Sequence, residues 1–382
     1  MPSIGILLPG STLYPSIGVD FLQGIKSCLN FHHITGVDLP VLPIGYGLKE
    51  DEIYRQAEKF LLSDHADAVI AYVNTQFAKS LSPLFAATGK LLITTNAGAN
   101  YPPVSTGFSN TLCHSLNDSL YSFCTGKLCS QQSNDITAIA ASSFYDGGYQ
   151  HFHAMTNAFT LQKGEIKFNY ISHFKKEDFN ITALADFIRK NPSVKNLLCV
   201  YSGDLARYFY KEIKILQEEF DLRLYGSPMM FDSTAGDFTD TNPYVKQIQG
   251  YVGWVPALDN QHNKNFLAYY YKETGKEPNL FSLQGWETAL LLIEYLKQST
   301  GGADTTAAIS QMKNRPLQSP RGTIQIDDTH FVLGPAYLVS AANNLEITVE
   351  DIIEDVTAAQ QEMLMQIPDT EFSGWRNTYL CI

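Results

Sequence analysis

Apolar residues in this chain come in short runs, each followed by small or polar residues and then by a stretch with helical spacing. Ile4-Gly-Ile-Leu-Leu8 is the first run, and Val41 to Ile44, Ala68 to Val73 and Leu91 to Thr95 repeat it. Between Asp135 and Phe231 the same grammar returns, with Asp135 to Ser142 and Asn196 to Tyr201 as its clearest members. Strands buried on both faces read as continuous apolar runs, and parallel neighbours need a crossover helix between them. Two such blocks predict an α/β chain of two Rossmann-like parallel-sheet lobes.

The helical stretches carry their apolar residues on one side. Ile17, Phe21, Ile25, Cys28 and Leu29 do so after Ser16, and Leu283, Trp286, Leu290, Ile293 and Leu296 do so near 282–297. A helix from Ser115 to about Leu128 opens the second block. Strands are expected near 135–141, 165–171, 196–201 and 223–229, and Ile248 to Trp254 carries the chain back. Thr323–Ile326 and Ala336–Val339 read as a strand pair bracketing Asp327-Asp328, and Val349 to Met365 as an acidic helix. This order assigns residues 1–114 and 255–333 to the first lobe, and 115–254 and 334–382 to the second. The chain then crosses between lobes near 112–118, 252–256 and 332–336, a three-segment hinge in which a few residues absorb the rotation of closure. Ligands of parallel sheets bind beyond the carboxyl ends of the strands, so the expected site is the cleft between the lobes.

Composition narrows the function. With 382 residues, 45% apolar and 17% charged, the chain is an ordinary globular one of two-domain length. Its net charge of −12 argues against nucleic acid as a partner. It has no apolar run of about 18 residues, so no membrane insertion is expected. Met1-Pro2-Ser3 leads straight into the first strand, which suggests either a cytoplasmic protein or one whose leader has been removed. Cys28 and Cys199 lie on apolar faces, and six cysteines in all do not decide the compartment.

Motifs of cofactor and catalytic chemistry are missing. Pro9-Gly10-Ser11 after the first strand is not a dinucleotide loop, and no Gly-Lys-Ser/Thr follows any strand. The Gly-x-Ser-x-Gly elbow is absent too. His32-His33 and His151-x-His153 lack the spacing that puts two imidazoles on one helix face, and the latter reads as a solvated pair. Asp327-Asp328 reads as a turn. The expectation is therefore no cofactor, no metal and no catalysis.

Several segments, in order, resemble the type I periplasmic binding proteins, specifically the branched-chain amino-acid (leucine/isoleucine/valine) binding group. They are Ile4 to Tyr14, Val69 to Thr75, Gly89 to Gly98, Ser143-Phe-Tyr-Asp-Gly-Gly148 and Trp286 to Tyr295, and the likeness runs from Ile4 to about Ile347. It implies a non-catalytic receptor that closes hinged lobes on a small solute and delivers it to an ABC permease. The resemblance places a ligand carboxylate on Thr75, Asn96 and Gly98, with Asn74 and Ala97 beside them. It sets Tyr14 over the ligand, and Tyr145, Tyr201 and Ser202 across the cleft. Strand ends leading into helix N-termini offer amides suited to an anion, although Thr75 and Asn96 also suit simple capping.

One departure bears on the ligand. Amino-acid binders carry an acid after the turn that ends the strand near 225. Here Gly226-Ser227-Pro228 runs into Met229-Met230-Phe231, with Asp232 three residues late. Together with Trp254 and the tyrosines, this points to a hydrophobic or aromatic carboxylate, or to an amino acid if Asp232 reaches the cleft. A cytoplasmic ligand sensor of the same fold is the alternative, and an α/β enzyme of unidentified activity a second one.

Overall fold

The computed structural model describes residues 2–12, 14–101, 108–132, 137–143, 149–173, 175–232, 245–299, 303–313, 315–343 and 346–367. It opens with β1 (Ile4–Leu8), α1 (Ile17–Phe31), β2 (Val41–Pro43), α2 (Glu50–Glu58), β3 (Ala68–Tyr72), α3 (Ala78–Thr88), β4 (Leu91–Asn96) and β5 (Thr111–Ser115). Next come α4 (Asp118–Gln132), β6 (Thr137–Ser143), α5 (Tyr149–Leu161), β7 (Glu165–Ser172), α6 (Thr182–Lys190), β8 (Asn196–Val200), α7 (Gly203–Glu219), β9 (Arg223–Gly226) and β10 (Val245–Val252). The chain then forms α8 (Gln261–Thr274), α9 (Leu280–Ser299) and α10 (Thr305–Lys313). A small sheet of β11 (Leu317–Ser319), β12 (Gly322–Ile326) and β13 (Val332–Leu333) leads to β14 (Ala336–Asn343), β15 (Glu346–Ile353) and α11 (Thr357–Leu364).

Two large sheets result. One has the order β2-β1-β3-β4-β5, parallel throughout. The other runs β7-β6-β8-β9-β10-β14-β15, parallel up to β10, with β14 and β15 antiparallel at one edge. Alternation along β3 explains why the first lobe needs two helical layers. Val69 and Ala71 face the cluster of α2 and α3, while Ala68, Ile70 and Tyr72 face the cluster of α1 and α9. Phe21 of α1 packs edge-on to Tyr72 at 5.2 Å, and full burial of such a ring contributes about 1.5–3 kcal/mol. Gly24 and Gly285 let α1 and α9 touch: a Cβ on Gly24 would sit 2.1 Å from the Ser282 carbonyl oxygen, and one on Gly285 2.0 Å from that of Phe21.

Three expectations fail in the details. Residues 111–115 form a fifth strand, with the helix starting only at Asp118. Ala336–Asn343 pairs with β10 and β15, and the partners of β12 are β11 and β13. The acidic stretch from Val349 begins as strand: β15 runs from Glu346 to Ile353, where β-branched Ile347, Thr348, Val349, Ile352 and Ile353 favour an extended backbone, and the helix is confined to Thr357–Leu364. Asp327 does make a turn, its Oδ1 accepting from the Thr329 and Phe331 N–H groups at 2.8 and 2.9 Å. The five cysteines among the described residues are buried thiols.

The segments passing between lobes converge on one buried cation. Arg321, wholly shielded from solvent, donates from Nε to both oxygens of Glu287 on α9 (2.9 and 3.1 Å). Its Nη2 donates to the Ser115 carbonyl at 3.2 Å in the first crossing. Its guanidinium also lies against Gly253 in the second crossing and Gly334 in the third, where an added Cβ would come within 3.3 Å of Nη1 and 3.1 Å of Cζ. Glu287 is completed by His114 of β5, whose Nε2 lies 2.8 Å from Oε2. Burial holds the His114 imidazole below its usual pKa, so Nε2–H donates to Glu287 while Nδ1 accepts from the Thr95 hydroxyl at 2.9 Å. Burial alone would raise the Glu287 carboxyl, yet Arg321 and His114 bring it down to about 2.

Breaking such a pair leaves a buried charge uncompensated, at about 3–5 kcal/mol. Arg321→Met and Glu287→Gln should each lose that much in a urea titration; a loss below about 1 kcal/mol for both would remove the pair from the hinge's supports. The depressed Glu287 pKa adds stability that is present above the ordinary value of 4.5 and lost as pH falls towards 2. His114, also depressed, adds stability lost as pH falls below 6.5. Acid titration of the melting temperature should therefore fall more steeply for the native chain than for Glu287→Gln.

Candidate functional site

Beyond the strand ends, the first crossing segment divides the space between lobes. Its alternate residues face two different concavities. Leu116 and Asp118 line one, together with Pro228, Phe231 and Asp232, the second crossing at Val252 to Pro256, and Pro278 to Leu280 before and at the start of α9. Ser115, Asn117 and Ser119 line the other, with Thr75, Gly98, Asn100, Phe331, Leu333 and, from α11, Gln360 and Met363. The first encloses about 40 Å³ and the second about 20 Å³, room for a few waters at most. The lobes lie closed on both.

A loop after β4 helps hold them closed. The Ala97 and Gly98 carbonyls accept from the N–H groups of Asp118 and Ser119 at the start of α4, at 3.2 and 2.8 Å. Further along, the Tyr101 N–H donates to Gln150 Oε1 at 2.5 Å, and the Tyr101 hydroxyl lies 2.8 Å from His153 Nδ1. Both partners belong to α5 in the second lobe. Burial lowers the His153 pKa, which favours the neutral ring as acceptor. His151 is fully buried, so the pair read from sequence as solvated is neither exposed nor alike.

The sequence-expected residues distribute as follows. Asn96 ties the loop together: Nδ2 donates to the Val73 carbonyl (3.0 Å) and to Thr75 Oγ1 (2.7 Å), while Oδ1 accepts from the Gly98 N–H (2.7 Å). Asn74 caps the following turn by accepting from the Gln76 N–H at 3.0 Å. Gly98 needs to be glycine, with φ of 79° and Asn117 N only 2.7 Å from where a Cβ would be. Thr75 and Gly98 line the smaller cavity. Tyr14 is buried edge-on against Phe281 at 5.6 Å, and Tyr201 is stacked on Phe209 at 4.3 Å. Ser202 is buried before α7, and Met229 sits in the main apolar cluster. Tyr145 lies outside the described residues.

Asp232 and Trp254 line the larger cavity. A short 3-10 turn at Pro228–Phe231 shortens the path from β9, so an acid that reads as three residues late reaches the cleft while Met229 does not. Asp118 is the residue that sequence reasoning missed. It is 3% exposed, and its Oδ2 has no hydrogen-bond partner among the described residues. Burial, and then the nearby Asp232 charge, hold its carboxyl well above the usual range, while Arg321 opposes them. Its only sequence signal was a position at the first turn of a helix, where acids are common. Among the described residues no three His, Cys, Asp or Glu side chains are grouped to hold a metal, and no helix is long and apolar enough to cross a membrane.

A model of the periplasmic binding protein family matches residues 2–345. No curated protein matches the chain. Among solved structures, an ABC-transporter solute-binding protein from Rhodopseudomonas palustris BisB5, in complex with 3,4-dihydroxy benzoic acid, is similar at 18% identity, with a TM-score of 0.72 over 92% of this chain and 97% of its own. An ABC transporter substrate-binding protein from Sphaerobacter thermophilus reaches a TM-score of 0.76 at 14% identity over 93% and 98%. A leucine-binding protein from Thermotoga maritima reaches 0.67 at 15% identity over 93% and 99%. At these identities the likeness is one of fold.

Because Asn96 holds three backbone and side-chain groups, Asn96→Leu should destabilise the protein by about 2–3 kcal/mol in urea. Thr75→Val leaves Asn96 its other partners and should cost less than about 1 kcal/mol. Equal stability of the two variants would mean that the loop does not depend on Asn96.

Proposed function

The chain belongs to the periplasmic binding protein family, and on that premise we propose that it is a non-catalytic receptor that closes its lobes on one small solute. One observation carries the reading: the larger cavity takes its lining from both lobes and from two of the segments that cross between them. A solute lodged there touches both lobes at once, and only such a solute has more affinity for the closed form than for the open one. Delivery to an ABC-type permease in the periplasm follows from the family as part of the same proposal.

The apolar walls, Leu116, Phe231, Val252 and Trp254 among them, favour a solute with an apolar or aromatic body. Hydrophobic or aromatic carboxylates and amino acids are the first candidates, in keeping with relatives whose structures hold benzoates. Room in the closed cavity is small, so entry requires the lobes to part.

Native mass spectrometry of freshly purified protein should reveal a retained small molecule. After its removal by mild unfolding and refolding, small-angle scattering should give a larger radius of gyration, reversed on adding the molecule back. An identical scattering profile with and without it would rule out ligand-driven closure.

A further inference from the structure

Beyond residue 345, where the family match ends, the chain adds β15 and then α11, and α11 touches both lobes. Its anchor is in the second. Val356, just before the helix, and Met363 within it belong to the buried cluster of Leu120, Tyr121 and Phe123 from α4. Lys127 of α4 also donates to Glu362 Oε2 at 2.5 Å. From that anchor α11 reaches the first lobe. Gln360, buried, donates from Nε2 to Asp327 Oδ2 at 3.4 Å. The turn that carries Asp327 is fixed to the first lobe: the Cys113 N–H of β5 donates to the His330 carbonyl, and Lys313 of α10 to the Asp328 carbonyl, each at 2.9 Å. Gln360 and Met363 thus wall one side of the smaller cavity, which Thr75 and Gly98 also line.

We propose that α11 is a strap across the hinge, so that a segment beyond the family match sets how often the closed lobes part. The proposal rests on the receptor reading above in one respect, that the lobes move. The two ends of the strap differ in strength. On the second lobe α11 is held by buried apolar side chains and an ion pair, and the strand before it is paired along β14. On the first lobe its polar hold is one neutral hydrogen bond longer than the usual range. A bond of that kind shifts an opening equilibrium by about twofold to tenfold. The strap therefore releases at Gln360 and stays attached at Met363 and Glu362. As the lobes part, Gln360 and Met363 leave with the second lobe and uncover Thr75 and Gly98. The contact biases the molecule towards closure without locking it, and a solute with its own preference for the closed form supplies the rest.

Opening can be read at two amides of the full chain as purified. The Asp118 and Ser119 N–H groups donate between lobes to the Ala97 and Gly98 carbonyls, so their exchange with deuterated water follows each parting of the lobes. The buried amides of β8 give the reference for global unfolding. Gln360→Glu sets a carboxylate against that of Asp327 and should speed exchange at Asp118 and Ser119 about threefold or more, with β8 unchanged. Adding Asp327→Asn should restore the native rate, because the new amide can donate to the new carboxylate while its oxygen keeps the turn. Gln360→Ala, which only deletes the contact, should raise exchange at the same two amides about twofold. Native exchange in both single variants, a rise that β8 shares in full, or a rise that Asp327→Asn does not reverse overturns the strap and leaves the receptor reading intact. That reading falls separately, if release of the retained molecule leaves the scattering profile unchanged, and the strap falls with it.

Discussion

The ion pair between Arg321 and Glu287 is the constraint on which the rest of the molecule depends. Two charges taken fully out of water are costly unless each is met by good geometry, and here the geometry comes from the whole hinge. Ser115 gives a carbonyl, His114 an imidazole N–H, and Gly253 and Gly334 give space. Tyr121 and Asn117 bind the third crossing directly, donating to the carbonyls of Gly334 and Val332 at 3.1 Å each. The segments that must twist when the lobes move are thus held together at one point.

That arrangement also sets the chemistry of the cleft. The first crossing segment passes from β5 to α4 through Leu116 and Asn117, which line different cavities, so one short stretch feeds both. The stretch faces Thr75 and the Asn96-braced loop on one side, and the acids and apolar walls on the other. The residues that a family likeness assigns to a ligand's carboxylate are, in this chain, largely engaged with each other. The larger of the two cavities between the lobes has apolar walls with Asp118 and Asp232 among them. Chains with the same fold, at identities of 14–18%, need not share the polarity of what they enclose, because fold and site are specified by different residues.

Much of the fold was legible because buried parallel strands announce themselves. Ile4 to Leu8, Ala68 to Tyr72, Leu91 to Asn96 and Asn196 to Val200 are apolar runs with helical spacing between them, and each is a strand. β5 escaped notice for a physical reason: Thr111, His114 and Ser115 make it look like a connection, yet all are buried, and His114 is there for Glu287. Glu287 itself could have been found, since it lies on the buried side of α9 four residues from both Leu283 and Leu291. Arg321, between Pro320 and Gly322, reads as a surface turn. Asp232, whose reach into the cleft the sequence left open, lines the larger cavity because the 3-10 turn after β9 shortens the path. Polar residues buried by partners far along the chain carry no local periodic signal.

The apolar cluster that includes Phe21 and Tyr72 in the first lobe continues through Leu116, Val252 and Trp254 to Tyr201 and Phe209 in the second. Opening the lobes therefore wets hydrocarbon as well as freeing a ligand, and hydrocarbon in water raises the heat capacity. Closure of the lobes on a solute accordingly carries a heat-capacity decrease larger than the solute's own surface accounts for. The enthalpy of binding then varies steeply with temperature, and the affinity, which integrates it, has an optimum rather than a steady trend.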